Sequence, residues 1–135
     1  MLKSLIIVPV LFFLSTGTSI AEAPLKEPLD TKEEYIDFVH LKAEQYGVSA
    51  ELMIGIINCE NKDWNPTLQS YAKYKNGERE KSYGLAQIHL PAHPSISYEQ
   101  ATNPEFSINF LAENLAEGNG SSMWKTCYAK VKSPH

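Results

Sequence analysis

From Thr31 onward the apolar positions fall into a helical rhythm: Tyr35, Ile36, Phe38, Val39, Ala43 and Tyr46 share one face, with charged residues between them. Thr31-Lys32-Glu33-Glu34 has capping-box spacing, in which a hydroxyl and a carboxylate satisfy the free amides at a helix start, and Gly47 supplies the stop. An amphipathic surface helix is therefore predicted. Ser49 can cap a second helix through Leu52-Met53-Ile54-Gly55-Ile56-Ile57, which is apolar nearly all round and so belongs in the core. Met53, Ile56, Ile57 and Glu60 follow the i, i+3, i+4, i+7 spacing, so the buried face of this helix ends in a carboxylate.

Between Trp64 and Tyr83 the pattern changes to Tyr, Ser and charged residues around Asn76-Gly77, a dipeptide favoured by type I′ turns, and a small hairpin or long ordered loop is expected. Leu85-Ala86-Gln87-Ile88 reads as a short helix that stops at Pro91. Ser97-Tyr98-Glu99-Gln100 is a second capping box, and Asn103-Pro104 opens a long helix carrying Phe106, Ile108, Leu111 and Leu115, ended by Gly118. A last helix is expected from Ser121 or Ser122 through Lys130, carrying Trp124, Cys127 and Tyr128. The pattern predicts a mainly α domain with a small β-hairpin or ordered loop.

Before this domain, Lys3 precedes the apolar run Leu5-Ile6-Ile7-Val8-Pro9-Val10-Leu11-Phe12-Phe13-Leu14 and then small residues, the pattern of a secretory signal peptide. The run is too short for a permanent span, and no later stretch approaches the roughly 20 apolar residues required. Cleavage after Ala21 fits better than cleavage after Ala23, which would leave Pro24 behind the scissile bond. The expected organisation is a signal peptide at 1–21, a short Pro-containing tether at 22–30 and one folded domain at 31–135. Losing Lys3 takes the formal charge from −4 to −5, which argues against nucleic acid as a partner. An exported monomer, periplasmic or extracellular and without a membrane span after processing, is the expectation.

Export also bears on the two cysteines, Cys59 and Cys127, since an even count in an oxidising compartment favours a disulfide. The alternative is a zinc site with His89 and His93. Pro91 between the two His prevents a regular helical pairing, and the cysteines lack paired spacing, so a metal is not expected.

The segment Ile56-Ile57-Asn58-Cys59-Glu60-Asn61-Lys62-Asp63-Trp64-Asn65-Pro66, followed by Ser82-Tyr83-Gly84-Leu85-Ala86-Gln87-Ile88, resembles the catalytic Glu and Gly-Leu-x-Gln segments of soluble lytic transglycosylases, relatives of goose-type lysozyme. Ala101-Thr102-Asn103-Pro104 and the stretch from Trp124 to Tyr128 resemble that family's next helix and its closing Trp and Tyr positions. The resemblance implies an α+β lysozyme-like fold and cleavage of the β-1,4 bond between N-acetylmuramic acid and N-acetylglucosamine in peptidoglycan, with no cofactor. It implies Glu60 as the single acid and base, 1,6-anhydromuramyl ends as product, Gln87 as a cleft residue, Gly84 as a point of close backbone approach and Tyr128 as a residue near the carboxylate. Asn61 stands where the family usually has Ser, and Ala129-Lys130 replaces the Asn-x-Gly that many members carry after the Tyr. Asn61 is read as a ligand contact, because its amide still donates and accepts.

The chemistry accounts for the acid. A glycosidic oxygen leaves only when protonated, so a carboxyl must stay neutral near neutral pH, and desolvation on an apolar face achieves that. Two other classes remain open: a hydrolytic muramidase using Asp63, Glu78 or Glu80 as second carboxylate, and a catalytically silent module that binds glycan or protein. Trp64 and Trp124 are read as core packing rather than sugar platforms, while Tyr71, Tyr74 and Tyr83 suit sugar stacking and cross-strand pairing equally well.

Overall fold

The computed structural model describes Gly17 and residues 26–133. The rest of the predicted signal peptide and residues 22–25 of the tether lie outside the described residues. The domain is mainly helical, with a small two-stranded antiparallel sheet.

Helix α1 (Lys32–Tyr46) begins with the capping box read from the sequence: Thr31 Oγ1 accepts from the Glu34 amide at 3.2 Å, and Glu34 Oε2 accepts from the Thr31 amide at 2.9 Å. Gly47, at φ 67°, closes it in the left-handed conformation. Tyr35, Phe38, Val39 and Ala43 are buried. Helix α2 (Ala50–Glu60) starts at Ser49, whose hydroxyl accepts from the Leu52 amide, and buries Met53, Ile56 and Ile57. Helix α4 (Pro104–Ala116) starts at Asn103 with Pro in the first turn, follows the short α3 (Tyr98–Ala101) with its own capping box, and packs on α1.

Three elements differ from expectation. The run from Leu85 to Ile88 is not helical. Strands β1 (Ser82–Tyr83) and β2 (Ile88–His89) pair antiparallel, Ser82 opposite His89 and Tyr83 opposite Ile88, and residues 84–87 are the turn between them. Gly84 and Gln87 take φ of 83° and 50°, which no helix accommodates. The turn is fixed from outside: the Ala86 amide donates to buried Ser107 Oγ at 2.9 Å, and the Ala86 carbonyl accepts from Trp124 Nε1 at 2.7 Å. Pro91 then lies in a single 3₁₀ turn, Leu90–Ala92.

At Asn76-Gly77 the reversal is not type I′. Gly77 has φ 86° while Asn76 is not among the positive-φ residues, the Gly77 amide donates to the Tyr74 carbonyl, and the Tyr74 amide donates to the Glu78 carbonyl. This is a three-residue loop with glycine in the left-handed position, stabilised by Asn76 Oδ1 accepting from the Glu78 amide at 3.0 Å. The last predicted helix is divided into α5 (Gly120–Met123) and α6 (Lys125–Lys132). The break is Trp124, whose φ of −121° turns its indole into the core to reach Ala86. Helix α6 lies on α2 so closely that a Cβ at Gly55 would stand 2.7 Å from Val131 Cγ2, and the Cys59–Cys127 disulfide joins the two helices. Both sulfurs are thereby committed, which removes the Cys2His2 alternative.

Candidate functional site

Glu60 is the last residue of α2, half-buried where the apolar face ends. It borders two cavities. The larger, about 610 Å³, runs over Asn58, Lys62, Asp63, Leu68 and the exposed Tyr71. The smaller, about 150 Å³, is walled by Ser70, Glu80, Ser82, Gln87, His89 and Trp124. A third, about 330 Å³, shares Glu80, Gln87, His89 and Trp124 with the second and continues to His93 and Phe110. Glu60 thus stands on a chain of hollows that share walls, with room on either side.

Burial holds the Glu60 carboxyl above the ordinary Glu range, the charge of Glu80 adds to the effect, and Lys130 on α6 opposes it. The carboxyl therefore keeps its proton further toward neutrality than an exposed glutamate would. Such a group can donate a proton to a bond in the groove and take one back.

No protein-family model, curated protein or solved structure matches this chain.

The other residues singled out in the sequence have more varied places. Gln87 walls both the second and third cavities, but its Nε2 donates to the Leu68 and Gly84 carbonyls at 3.1 and 3.0 Å, so that nitrogen serves the fold. Gly84 is buried, and what approaches it is protein: a Cβ there would lie 2.0 Å from the Ala101 carbonyl oxygen. That close approach is made by Ala101, the last residue of α3. Asn61 is 1% exposed, its Nδ2 donating to the Asn65 and Gly84 carbonyls at 2.7 and 3.1 Å and its Oδ1 accepting from the Asn65 amide at 3.0 Å. Its side chain fastens the loop after α2, and the residue also lines the large cavity. Tyr128 packs against Gly120, lies beneath Lys132, and is not a wall of either cavity bordered by Glu60.

Trp64 and Trp124 are buried, with Trp64 Nε1 donating to Asn58 Oδ1. Of the three alternative carboxylates, Asp63 faces the large cavity, Glu78 belongs to the tight hairpin loop, and Glu80 shares the small cavity with Glu60. Sequence reading did not assemble the group around Glu80. Ser82 Oγ lies 3.0 Å from His89 Nδ1 and 3.5 Å from Glu80 Oε1, and His89 Nδ1 lies 3.3 Å from Glu80 Oε1. The available signal was the strand pairing, which puts Ser82 and His89 directly opposite one another.

Proposed function

We propose that this protein is an exported lytic transglycosylase that cleaves peptidoglycan glycan strands, with Glu60 as acid and then base. The observation that carries the reading is the half-buried Glu60 carboxyl, its pKa raised by burial, placed where two hollows meet. In the reaction implied by the family resemblance, the Glu60 proton passes to the glycosidic oxygen as the C1–O bond breaks. The substrate's N-acetyl oxygen supports the electron-poor anomeric carbon. The muramyl 6-hydroxyl then attacks that carbon and returns its proton to Glu60, closing a 1,6-anhydro ring. Intramolecular attack has an effective molarity of about 10⁵–10⁸ M, which favours it over water unless the protein positions a water.

A second reading, hydrolysis, is favoured by one observation: Glu80 walls the same small cavity as Glu60 and is a candidate to hold that water. Mass spectrometry of digested peptidoglycan separates the two. Transglycosylation yields ends lighter by one water than hydrolysed ends. Predominantly reducing muramyl ends would make the protein a muramidase, and undigested wall would reject both in favour of a binding role.

A further inference from the structure

The residues alone leave Tyr71, Tyr74 and Tyr83 equally suited to sugar stacking and cross-strand pairing, and the fold parts them. Tyr74 is half-buried, stands edge-on to His89 at 6.3 Å, and its hydroxyl accepts from the Lys81 amide at 3.2 Å. Tyr83, also half-buried, stands edge-on to Tyr98 with ring centres 5.1 Å apart. Both rings are taken up by packing. Tyr71 is 78% exposed, more than any other large hydrophobic residue described, and it is a wall of the cavity of about 610 Å³ that Glu60 borders.

A lone exposed aromatic is ordinary on a protein surface, but this one is held. Arg79 reaches it from the opposite arm of the hairpin, its guanidinium carbon over the ring at 5.2 Å from the centre. The guanidinium is itself anchored to the backbone just before Tyr71: Nε donates to the Ser70 carbonyl at 2.9 Å and Nη2 to the Gln69 carbonyl. Arg79 is not a wall of the cavity, so the ring's other side is the one left to the hollow. Beside it, Lys62 and Asp63 are exposed and make no hydrogen bond or ion pair among the described residues, and Asn58 commits only its Oδ1, to Trp64 Nε1. A pyranose has the matching division, with C–H groups on its faces and hydroxyl or amide groups round its edge, so it suits a flat ring with free polar groups alongside.

We propose that Tyr71 is a stacking platform for one sugar ring of a glycan strand, forming a subsite in the large cavity to one side of Glu60, and that Arg79 is the positioning residue that holds it. The inference rests on the glycan reading above and deepens it by saying where one arm of the strand lies. A ring with two side-chain torsions, already propped from behind, loses little freedom when a sugar settles on it.

The test is calorimetric titration of soluble, uncross-linked peptidoglycan glycan strands into the full chain carrying Glu60→Gln, which keeps the strands from being cut. Adding Tyr71→Ala should weaken binding roughly three- to tenfold. Tyr71→Phe and Tyr71→Trp keep a flat ring and should stay within about twofold of the parent, while Arg79→Ala should weaken binding less than Tyr71→Ala does. With Glu60 intact, Tyr71→Ala should act mainly by raising KM, the signature of lost uniform binding. Equal binding by the parent and Tyr71→Ala overturns the inference, as does a Tyr71→Phe as weak as Tyr71→Ala, which would assign the effect to the hydroxyl. Strands that do not bind the parent at all bring down the glycan reading, and the platform with it. Cleavage by Glu60→Gln would reject Glu60 as the acid only, and the KM of Tyr71→Ala would then decide the platform.

Discussion

At Glu60 the physical chemistry of one side chain connects function with stability. Glu60→Gln keeps shape and polarity but has no proton to give, so cleavage should fall by at least the 10²–10⁴-fold typical of a lost general acid, assayed on purified cell wall. The same substitution has a stability consequence whose sign can be worked out. Because the folded-state pKa is raised, the folded protein binds more protons than the unfolded chain between the ordinary Glu value and the folded one, and stability declines as pH rises through that window. Above the window the ionised Glu60 is a burden that Gln lacks. Calorimetry should therefore find Glu60→Gln melting roughly one to a few degrees higher than wild type at neutral pH, with the difference vanishing in acid. A lower melting point at neutral pH would count against a destabilised carboxylate. Glu60 was legible in the sequence because burial of one helix face is a periodic property. The structural partners of Asn61 and Gly84, the Gly84 and Ala101 carbonyls, were not legible, because they come from segments that no periodicity brings together.

Elements whose signals are local were read correctly, and elements held by distant partners were not. The capping boxes at Thr31 and Ser97 and the caps at Ser49 and Asn103 need only residues within one turn. Leu85-Ala86-Gln87-Ile88 has respectable helix propensity, but four residues cannot outweigh the cost of nucleating a helix when tertiary bonds offer the same peptide groups other partners. Those bonds come from Ser107 and Trp124. Had the segment been read as a turn, the pairing of Ser82 with His89 would have followed, and with it the cluster at Glu80. The same geometry makes Gly84 the sensitive point of the element. Gly84→Ala would place a methyl 2.0 Å from the Ala101 carbonyl oxygen at a backbone φ of 83°. A loss of roughly 3 kcal/mol or more in urea unfolding is expected, the range of strained, overpacked backbone sites. A substitution costing under 1 kcal/mol would mean that the turn yields freely.

For the whole molecule, the cysteine count suggested a disulfide, and the fold gives it a task. Cys59 precedes Glu60 on α2 and Cys127 sits on α6, 68 residues away. Closing a loop of that length contributes about 4 kcal/mol in the chain-entropy model. The paired variant Cys59→Ser with Cys127→Ser should lose stability on that scale in chemical denaturation. Its cleavage rate should fall as well, because the end of α2 is no longer tied beside its cavities. Retention of full stability would show that packing of Val131 against Gly55 is sufficient. Long-range convergence of this kind is what the sequence pattern hides, since neither spacing nor hydropathy places Glu80, Ser82 and His89 beside Glu60.

The indole of Trp124 bonded to Ala86 also has a meaning in time. A chain made from its first residue to its last has Glu60, the β1–β2 turn and most of the apolar residues available well before Trp124 and Cys127 exist. Until they do, the Ala86 carbonyl lacks its partner and α2 packs on α1 alone, without α6. Contacts at such separations carry their loop-closure cost before they give anything back, so they form late. Glu60 and its cavities are consequently among the last features of the molecule to be completed, and a chain truncated before Trp124 would carry Glu60 without the walls that Trp124 supplies around it.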